Sequence, residues 1–193
     1  MNINIMRIIS GKFKGTNLCG PKDKKIRPLK NMVRESIFNF LVHSNKISFK
    51  LEQANILDLY SGTGSFGLEC LSRLANKVIF IEKEKEAIKI LEKNIRKIKQ
   101  NKKIKIFAND VLYLIKKKNL NLQFNLIFCD PPFKDNNVEM LIELISQKNL
   151  MKKNGIIIFH RKKNIIDKIP NYFKIIDERI YGISKIIFGT ISA

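Results

Sequence analysis

The spacing of apolar residues along this chain alternates between a pattern typical of strands and one typical of helices. Short runs of consecutive apolar residues predict buried strands at Asn55–Leu59, 77–81, 104–107, 126–129 and 156–160. Between these runs, apolar residues recur at intervals of three and four, which predicts helices over 31–45, 66–74, Val111–Lys117, and around the apolar sets Ala87, Ile88, Leu91, Ile95, Ile98 and Val138, Leu141, Ile142, Ile145.

The order of these elements predicts an α/β fold of the Rossmann-like kind. Strands that alternate with helices favour a mostly parallel sheet that is covered by helices on both faces. Near the C-terminus, Phe173–Tyr181 and Ser184–Ile191 are predicted strands joined at Gly182, which would add an antiparallel strand to the sheet. In such a sheet, ligands bind at the carboxyl ends of the strands, so the residues that follow each strand are the candidates for chemistry.

The N-terminal part of the chain predicts a small appendage rather than a second full domain. Residues 7–9 and 16–18 flank two glycines and are typical of a short hairpin. We therefore expect an N-terminal hairpin extension over residues 1–30 and a single α/β domain over residues 31–193.

The charge of the chain favours a polyanionic partner. Lys and Arg number 37 against 17 Asp and Glu, which gives a formal charge of +20, and RNA or DNA is the natural ligand of such a surface. An alternative remains, because Lys, Ile and Asn are abundant together and all have AT-rich codons, so genome composition could supply part of the lysine excess.

Membrane, disulfide and metal functions are not indicated. No apolar run approaches the roughly 18 residues of a membrane span, and the N-terminus lacks a signal-peptide pattern, so we expect a cytoplasmic protein. The three cysteines are scattered and there is no cluster of histidines, so we expect neither a disulfide framework nor a metal site.

A glycine-rich loop follows the first predicted strand. Gly62, Gly64 and Gly67 form a G-x-G-x-x-G motif between a strand and a helix, which is its proper context for holding a nucleoside cofactor. Glu82 comes at the end of the next strand and is suited to accept hydrogen bonds from ribose hydroxyls. The motif alone leaves open a dinucleotide or S-adenosylmethionine.

Asp58 favours S-adenosylmethionine. A carboxylate so close to Gly62 would repel a pyrophosphate, but it suits the ammonium and sulfonium charges of S-adenosylmethionine. The alternative is that Asp58 only holds the loop through a hydrogen bond. After the third strand, Asp110 and Val111 are further candidates for the cofactor pocket; Asp110 could contact the adenine amino group, or cap the helix that begins at Val111, or do both.

The tetrad Asp130-Pro131-Pro132-Phe133 ends the fourth predicted strand. The two prolines fix the backbone where the strand ends. An exocyclic amine on a base is a poor nucleophile, and hydrogen-bond acceptors that hold its N–H groups can direct its lone pair toward a methyl donor. Asp130 and a carbonyl of the proline region could supply these acceptors, while Phe133 could stack on the base. A base within a duplex would have to be flipped out to reach them.

The carboxylate of Asp130 favours guanine over adenine as the target. Guanine presents N1–H and N2–H side by side, and an ionised carboxylate, which only accepts hydrogen bonds, matches this pair. Adenine presents one donor and one acceptor, which an Asn amide would match better. An adenine-N6 methyltransferase of DNA or RNA remains an alternative, since some such enzymes carry Asp-Pro-Pro-aromatic, and a non-catalytic RNA-binding protein of the same fold is another.

Taken together, these motifs resemble the bacterial 16S ribosomal RNA guanine-N2 methyltransferases, the type that modifies guanine 966. The resemblance runs from about Met6 to the C-terminus and is carried by residues 6–15 (Met-Arg-Ile-Ile-Ser-Gly-Lys-Phe-Lys-Gly), 26–28 (Ile-Arg-Pro), 33–41 (Val-Arg-Glu-Ser-Ile-Phe-Asn-Phe-Leu), 58–73 with the glycine loop, and 130–133. The pieces before residue 42 discriminate best, because the others are shared by many methyltransferases.

The resemblance implies a class I methyltransferase fold with a seven-stranded sheet, S-adenosylmethionine as methyl donor, and small-subunit ribosomal RNA or the assembled 30S subunit as partner. We expect the protein to be a monomer. The resemblance also implies contacts to RNA or to the pocket edge for Arg27, Arg34 and Glu35, which match the family's extension motif. The chain departs from the family at Leu29, Asn31 and Met32, and at Leu74, where the family usually has glycine.

Overall fold

The computed structural model describes residues 6–21, 29–117 and 120–192. Five α-helices and seven strands are described: α1 (Asn31–His43), β1 (Asn55–Leu59), α2 (Ser65–Ser72), β2 (Lys77–Glu82), α3 (Lys85–Ile98), β3 (Ile104–Ala108), α4 (Val111–Lys117), β4 (Phe124–Cys129), α5 (Val138–Gln147), β5 (Met151–Lys162), β6 (Phe173–Tyr181) and β7 (Ser184–Ile191).

The strands form one sheet in the order β3-β2-β1-β4-β5-β7-β6. The first five of these strands pair in parallel, and β7 is antiparallel to both β5 and β6. A separate apolar cluster packs on each face of the sheet, which is why the central strands are apolar at consecutive positions. The predicted α/β class and the antiparallel closing strand are confirmed.

Within the described ranges, no helix has the length and apolarity needed to span a bilayer.

The largest departure from the predicted elements is in β5. This strand begins at Met151 rather than at Ile156, and Gly155 lies within it. The polar residues at its start conceal the strand in the sequence pattern. The predicted strand ends at His160, which favours a solvated strand end over contact with RNA for His160 and Arg161. This expectation is wrong: they are 3% and 0% exposed, because β5 runs on between β4 and β7.

The end of α2 departs from the family pattern without disturbing the fold. Leu74 adopts a φ of 70°, a left-handed conformation that favours glycine, and its side chain is exposed. Its carbonyl accepts a hydrogen bond from the Gln53 N–H at 3.0 Å. The glycine that the family usually has at this position therefore matches the backbone conformation that the chain still adopts.

The N-terminal segment packs along α2. One antiparallel bridge joins Arg7 and Asn17, so the predicted hairpin is present in a minimal form, and the buried side chains of Met6, Ile8 and Leu18 join the core. At the tip, the Lys12 N–H donates to the Ser72 carbonyl at 2.7 Å. A Cβ on Gly11 would lie 2.0 Å from that same carbonyl oxygen, so only glycine permits this close approach.

Glu69 of α2 connects this segment to the α/β fold. Its carboxylate is fully buried and accepts hydrogen bonds from the N–H groups of Ile9 at 2.7 Å and Ser10 at 2.9 Å. The Arg73 guanidinium donates a third hydrogen bond at 2.9 Å. Three donors converge on one carboxylate, which offsets the cost of burying its charge.

We predict that Glu69→Gln lowers the free energy of unfolding by about 2–3 kcal/mol, because the new amide group would face a backbone N–H with no acceptor between them. The matched control is Glu92→Gln, since Glu92 is half exposed and 3.9 Å from Arg96, a pair worth less than about 1 kcal/mol. Urea denaturation measures both, and hydrogen exchange at the Ile9 and Ser10 amides locates the effect. Equal losses in the two variants would contradict the role of Glu69.

Candidate active site

The strand register brings three acidic residues together at the carboxyl edge of the sheet, namely Asp58, Glu82 and Asp130. Leu59 of β1 pairs with Ile81 of β2 and with Cys129 of β4, so the residues that follow these strands lie at one level. The Asp130 N–H donates to the Leu59 carbonyl at 3.3 Å and extends the pairing by one residue. A cleft of about 310 Å³ opens here, lined by Tyr60, Gly62, Glu82, Lys83, Glu84, Ala87, Asn109, Val111, Asp130, Pro131, Pro132 and Phe133.

The three glycines of the loop have different structural roles. Gly62 lines the cleft with a φ of 53°, and a Cβ there would meet no atom within 4 Å. A Cβ on Gly64 would lie 2.2 Å from a Leu91 methyl, and one on Gly67 would lie 2.4 Å from the Phe80 ring. Gly64 and Gly67 are therefore required for close packing of α2 and its preceding turn, and of the three only Gly62 lines the cleft.

Glu82 holds the floor of the cleft together. Its Oε2 accepts the Gly62 N–H at 2.7 Å, and its Oε1 accepts the N–H groups of Lys83 at 2.8 Å and Glu84 at 2.9 Å. Two carboxylate oxygens offer about four acceptor positions, so one remains for a ligand hydroxyl. The predicted ribose contact stays a prediction, and it now has a second role beside it, the support of the glycine loop.

Asp58 is buried beneath the glycine loop. Its Oδ2 accepts the Gly67 N–H at 3.0 Å, so one of its two oxygens holds the loop, as one of the two predicted roles requires. Its Oδ1 is buried and finds no hydrogen-bond partner in the part of the chain that the structure describes. Burial raises the pKa of Asp58 well above its usual range, and the charges of Asp130 and Glu82 raise it further. A cation in the cleft would favour the ionised form.

Two roles were predicted for the residues after β3: capping of the following helix and contact with the cofactor. Asp110 Oδ1 accepts the Tyr113 N–H at 3.2 Å and caps α4, while its Oδ2 lies 3.3 Å from the Lys83 ammonium. Asn109 and Val111 line the cleft instead. The capping role of Asp110 is therefore observed, and its contact with a cofactor remains a prediction.

The tetrad forms the opposite wall of the cleft, and two residues of β5 and β7 support its carboxylate. His160 Nδ1 lies 2.9 Å from Asp130 Oδ1, and His160 Nε2 lies 2.8 Å from the Ser184 hydroxyl. The His160 ring also meets the Phe133 ring edge to face, with centroids 5.9 Å apart and an angle of 77° between the rings. One imidazole thus contacts both the acidic and the aromatic member of the tetrad.

Arg161 holds the loop that follows the tetrad. Its buried guanidinium donates to both oxygens of Asp167, and to the carbonyls of Pro132 at 3.3 Å and Asp135 at 2.6 Å. The sequence pattern missed this role together with that of His160. One signal in the sequence could have found both residues. His160 and Arg161 directly follow the consecutive apolar residues of a predicted strand, and this strand is the next one along the chain after the strand that ends in the tetrad.

The extension motif is only partly accessible. Arg34, for which contact with RNA or with the pocket edge was expected, has a fully buried side chain and makes its observed contacts within the protein. Its guanidinium donates to the carbonyls of Ser65 at 3.4 Å and of Arg7, and to the Asn31 side chain at 3.0 Å. Glu35 is exposed on α1 and its RNA contact stays a prediction, while Arg27 lies outside the described residues.

Over the described ranges, no three potential metal ligands are grouped.

Comparison with known proteins agrees with this geometry. Residues 6–190 match the model of the family described as conserved hypothetical protein 95. The chain is 34% identical over 167 residues to ribosomal RNA small subunit methyltransferase D of Buchnera aphidicola, covering 86% of this chain and 81% of that protein. The Haemophilus influenzae protein of the same name is 31% identical and is covered to 90%, with 92% of this chain matched.

A solved structure supports the same relationship. The Escherichia coli protein yhhF, which is described provisionally as a methyltransferase, superposes with a TM-score of 0.83 at 25% identity, covering 98% of this chain and 99% of that one. The chain therefore belongs to the conserved hypothetical protein 95 family, and it shares a family with the proteins named ribosomal RNA small subunit methyltransferase D.

Proposed function

We propose that the protein transfers a methyl group from S-adenosylmethionine to the exocyclic N2 of a guanine in small-subunit ribosomal RNA. The observation that carries the proposal is the Asp130 carboxylate, held by His160 at a cleft whose other wall is the glycine loop with Glu82. The names of the relatives support methyl transfer to ribosomal RNA, and the tetrad supports an amino group as the acceptor.

The charges around the cleft fit a cationic methyl donor. The whole chain carries a formal charge of +20, yet the described residues that line the cleft include the carboxylates of Glu82, Glu84 and Asp130 and one ammonium, that of Lys83. Beneath the loop, Asp58 Oδ1, which has no hydrogen-bond partner among the described residues, adds a buried oxygen to the same region. When bound, S-adenosylmethionine supplies a methyl group that is activated by its positively charged sulfur, so no strong base is required.

Each group of residues then has a defined task. Gly62, Glu82, Asn109 and Val111 would hold the nucleoside part of the donor, because they line the cleft beside the glycine loop. The ionised Asp130 would accept hydrogen bonds from guanine N1–H and N2–H and so orient the amino nitrogen. A nitrogen that gains a methyl group must also lose one proton, and the Asp130 carboxylate is positioned to take it. Phe133 would stack on the base.

The basic surface would bind the RNA backbone. Two pairs of lysines mark the two ends of β5. Lys162, and Lys163 directly after the strand, lie at the carboxyl edge of the sheet near the tetrad, whereas Lys152 and Lys153 lie at the opposite edge. An RNA that places a base in the cleft must pass its phosphates near the first pair and not the second.

We predict that the protein methylates guanine N2 in small subunits or their RNA, and that Asp130→Asn lowers kcat by at least about 10²-fold, because one acceptor becomes a donor. Binding of S-adenosylmethionine should remain measurable. Mass mapping of labelled methyl groups identifies the product. The matched control is Asp135→Asn, which removes a carboxylate from the same loop and keeps an acceptor for the Asn137 N–H at 2.8 Å.

Methyl groups on adenine would identify an adenine-N6 methyltransferase, and RNA binding with no transfer would identify a non-catalytic binding protein. Either result contradicts the proposed function. Wild-type turnover by Asp130→Asn would remove the tetrad from the mechanism.

We predict that the affinity for S-adenosylmethionine rises with pH. The raised pKa of Asp58 means that the empty site holds a proton there at pH values where a free carboxyl is ionised, and a bound cation favours loss of this proton. Binding therefore releases a proton and strengthens until the pH exceeds the pKa of Asp58 in the free protein. Calorimetry in buffers of different ionisation enthalpy measures the release.

The control for this prediction is Asp58→Asn, which keeps an acceptor for the Gly67 N–H but cannot titrate. Its binding should be weaker and should release fewer protons than wild type. The variant should unfold at no lower temperature near neutral pH, since burial already disfavours the charge of Asp58. Identical proton release by the two proteins would contradict the role of Asp58.

We predict that RNA affinity falls steeply with salt, and that the loss of two lysines matters only at the carboxyl edge. The double substitution Lys162→Gln with Lys163→Gln should weaken binding and lower the salt slope by about two, because each phosphate contact contributes about one. The matched control is Lys152→Gln with Lys153→Gln at the other end of β5. Equal effects of both pairs would indicate non-specific attraction, and a flat salt response would attribute the lysines to codon usage.

A further inference from the structure

His160 is a buried histidine whose two ring nitrogens both contact polar side chains. It lies in β5 between β4 and β7 and is 3% exposed. Nδ1 lies 2.9 Å from Asp130 Oδ1 and Nε2 lies 2.8 Å from the hydroxyl of Ser184, which is itself 5% exposed. We propose that His160, with its tautomer set by Ser184, is a positioning residue that fixes the orientation of the Asp130 carboxylate for methyl transfer. This inference rests on the proposed function.

The sheet register explains why these three residues meet. Cys129 of β4 pairs with Phe159 of β5, so the next residues along these parallel strands, Asp130 and His160, are neighbours. On the other side, His160 pairs with Ile186 of β7, and Ser184 is the diagonal neighbour that shares its face. Diagonal neighbours are about 7–8 Å apart, which an imidazole ring can span. The contacts therefore follow from strands on both sides of His160.

The hydrogen-bonding chemistry assigns the direction of this chain. An ionised carboxylate only accepts hydrogen bonds, so His160 Nδ1 must carry a proton and donate it to Asp130. In the neutral ring, Nε2 is then an acceptor, and the Ser184 O–H donates to it. Ser184 thereby stabilises the tautomer that serves Asp130. With the opposite tautomer, Nδ1 would be an acceptor facing an acceptor.

The orientation of a carboxylate requires such a partner. The terminal torsion of an Asp side chain has broad energy wells, so the side chain alone does not fix where its acceptor positions point. A hydrogen bond to one oxygen fixes the plane of the group and leaves acceptor positions on both oxygens. The same His160 ring contacts Phe133 edge to face, so the stacking surface and the acceptor are held by one side chain.

The position of His160 separates its role from that of the cofactor site. His160 is not among the residues that line the cleft, whereas Asp130 and Phe133 are. A change at His160 should therefore act on the orientation of the target base and leave the binding of S-adenosylmethionine largely unchanged. A loss of kcat without a matching loss of cofactor affinity is the expected signature.

Two substitutions separate the two nitrogens of the ring. In His160→Asn, the amide nitrogen reaches the place of Nδ1 and keeps a donor toward Asp130. In His160→Gln, the longer side chain reaches the place of Nε2 and keeps a contact with Ser184, but offers no donor to Asp130. Both remove the ring and its contact with Phe133, so they are matched for the loss of packing.

We expect kcat to fall by about 10²-fold in His160→Gln, because misplacement of a positioned group lowers the rate by about that factor. In His160→Asn, kcat should fall clearly less. The dissociation constant of S-adenosylmethionine should change by less than about threefold in both. Ser184→Ala, which leaves the ring in place and removes only its hydroxyl partner, should lower kcat by about three- to tenfold. Circular dichroism melts correct each rate for the folded fraction.

Equal kcat in the Gln and Asn variants would overturn the positioning role of His160, as would a fall in cofactor affinity as large as the fall in kcat. If the variants do not fold, an unchanged kcat in Ser184→Ala would overturn it. These results leave the proposed function intact when the wild-type protein still methylates guanine N2. Absence of transfer by the wild-type protein would overturn both proposals.

Discussion

The parallel register of β1, β2 and β4 is the constraint on which the candidate site depends. It brings Asp58, Glu82 and Asp130 to one edge of the sheet, where their charges oppose one another. Backbone N–H groups stabilise the Glu82 carboxylate, and the His160 imidazole contacts that of Asp130. Among the described residues, Asp58 accepts only the Gly67 N–H, and burial favours its neutral form. A slip of one residue in any of these pairings would turn the acidic side chains to other faces and remove the cleft.

The molecule separates two electrostatic tasks by distance. Its excess of lysine lies on the surface, where it attracts a polyanion over a range of about one Debye length, near 10 Å. The cleft presents carboxylates, which act at contact distance on a small cation. Under the proposed function, an anionic nucleic acid and a cationic methyl donor would use neighbouring regions of one small protein, because screening by salt weakens the first attraction far more than the second.

The sequence was sufficient for most of the elements, because strand and helix periodicity are local patterns. The glycine loop and the tetrad are local patterns too, and Gly62 and the tetrad line one cleft. Asn55–Leu59, Val111–Lys117, Phe173–Tyr181 and Ser184–Ile191 were predicted with the bounds that are observed. The partners of buried charges were not predictable. The resemblance implied contact with RNA or the pocket edge for Arg34. Its burial was not predictable, because two of its hydrogen-bond partners, Arg7 and Ser65, are 27 and 31 residues away along the chain. The burial of His160 and Arg161 was not predictable from a strand pattern that ends at His160, because it depends on the pairing of β5 with β4 and β7.

The buried Arg34 side chain has a consequence for the dynamics of the protein. Its guanidinium donates to the Arg7 carbonyl in the N-terminal segment and to the Ser65 carbonyl at the start of α2, and Asn94 likewise joins Cys19 to the Thr63 carbonyl. Neither segment can open without leaving a buried polar group unpaired, at a cost of about 1–3 kcal/mol for each group. The N-terminal segment and the glycine loop are thus one cooperative unit of local unfolding, and whatever orders one of them orders the other.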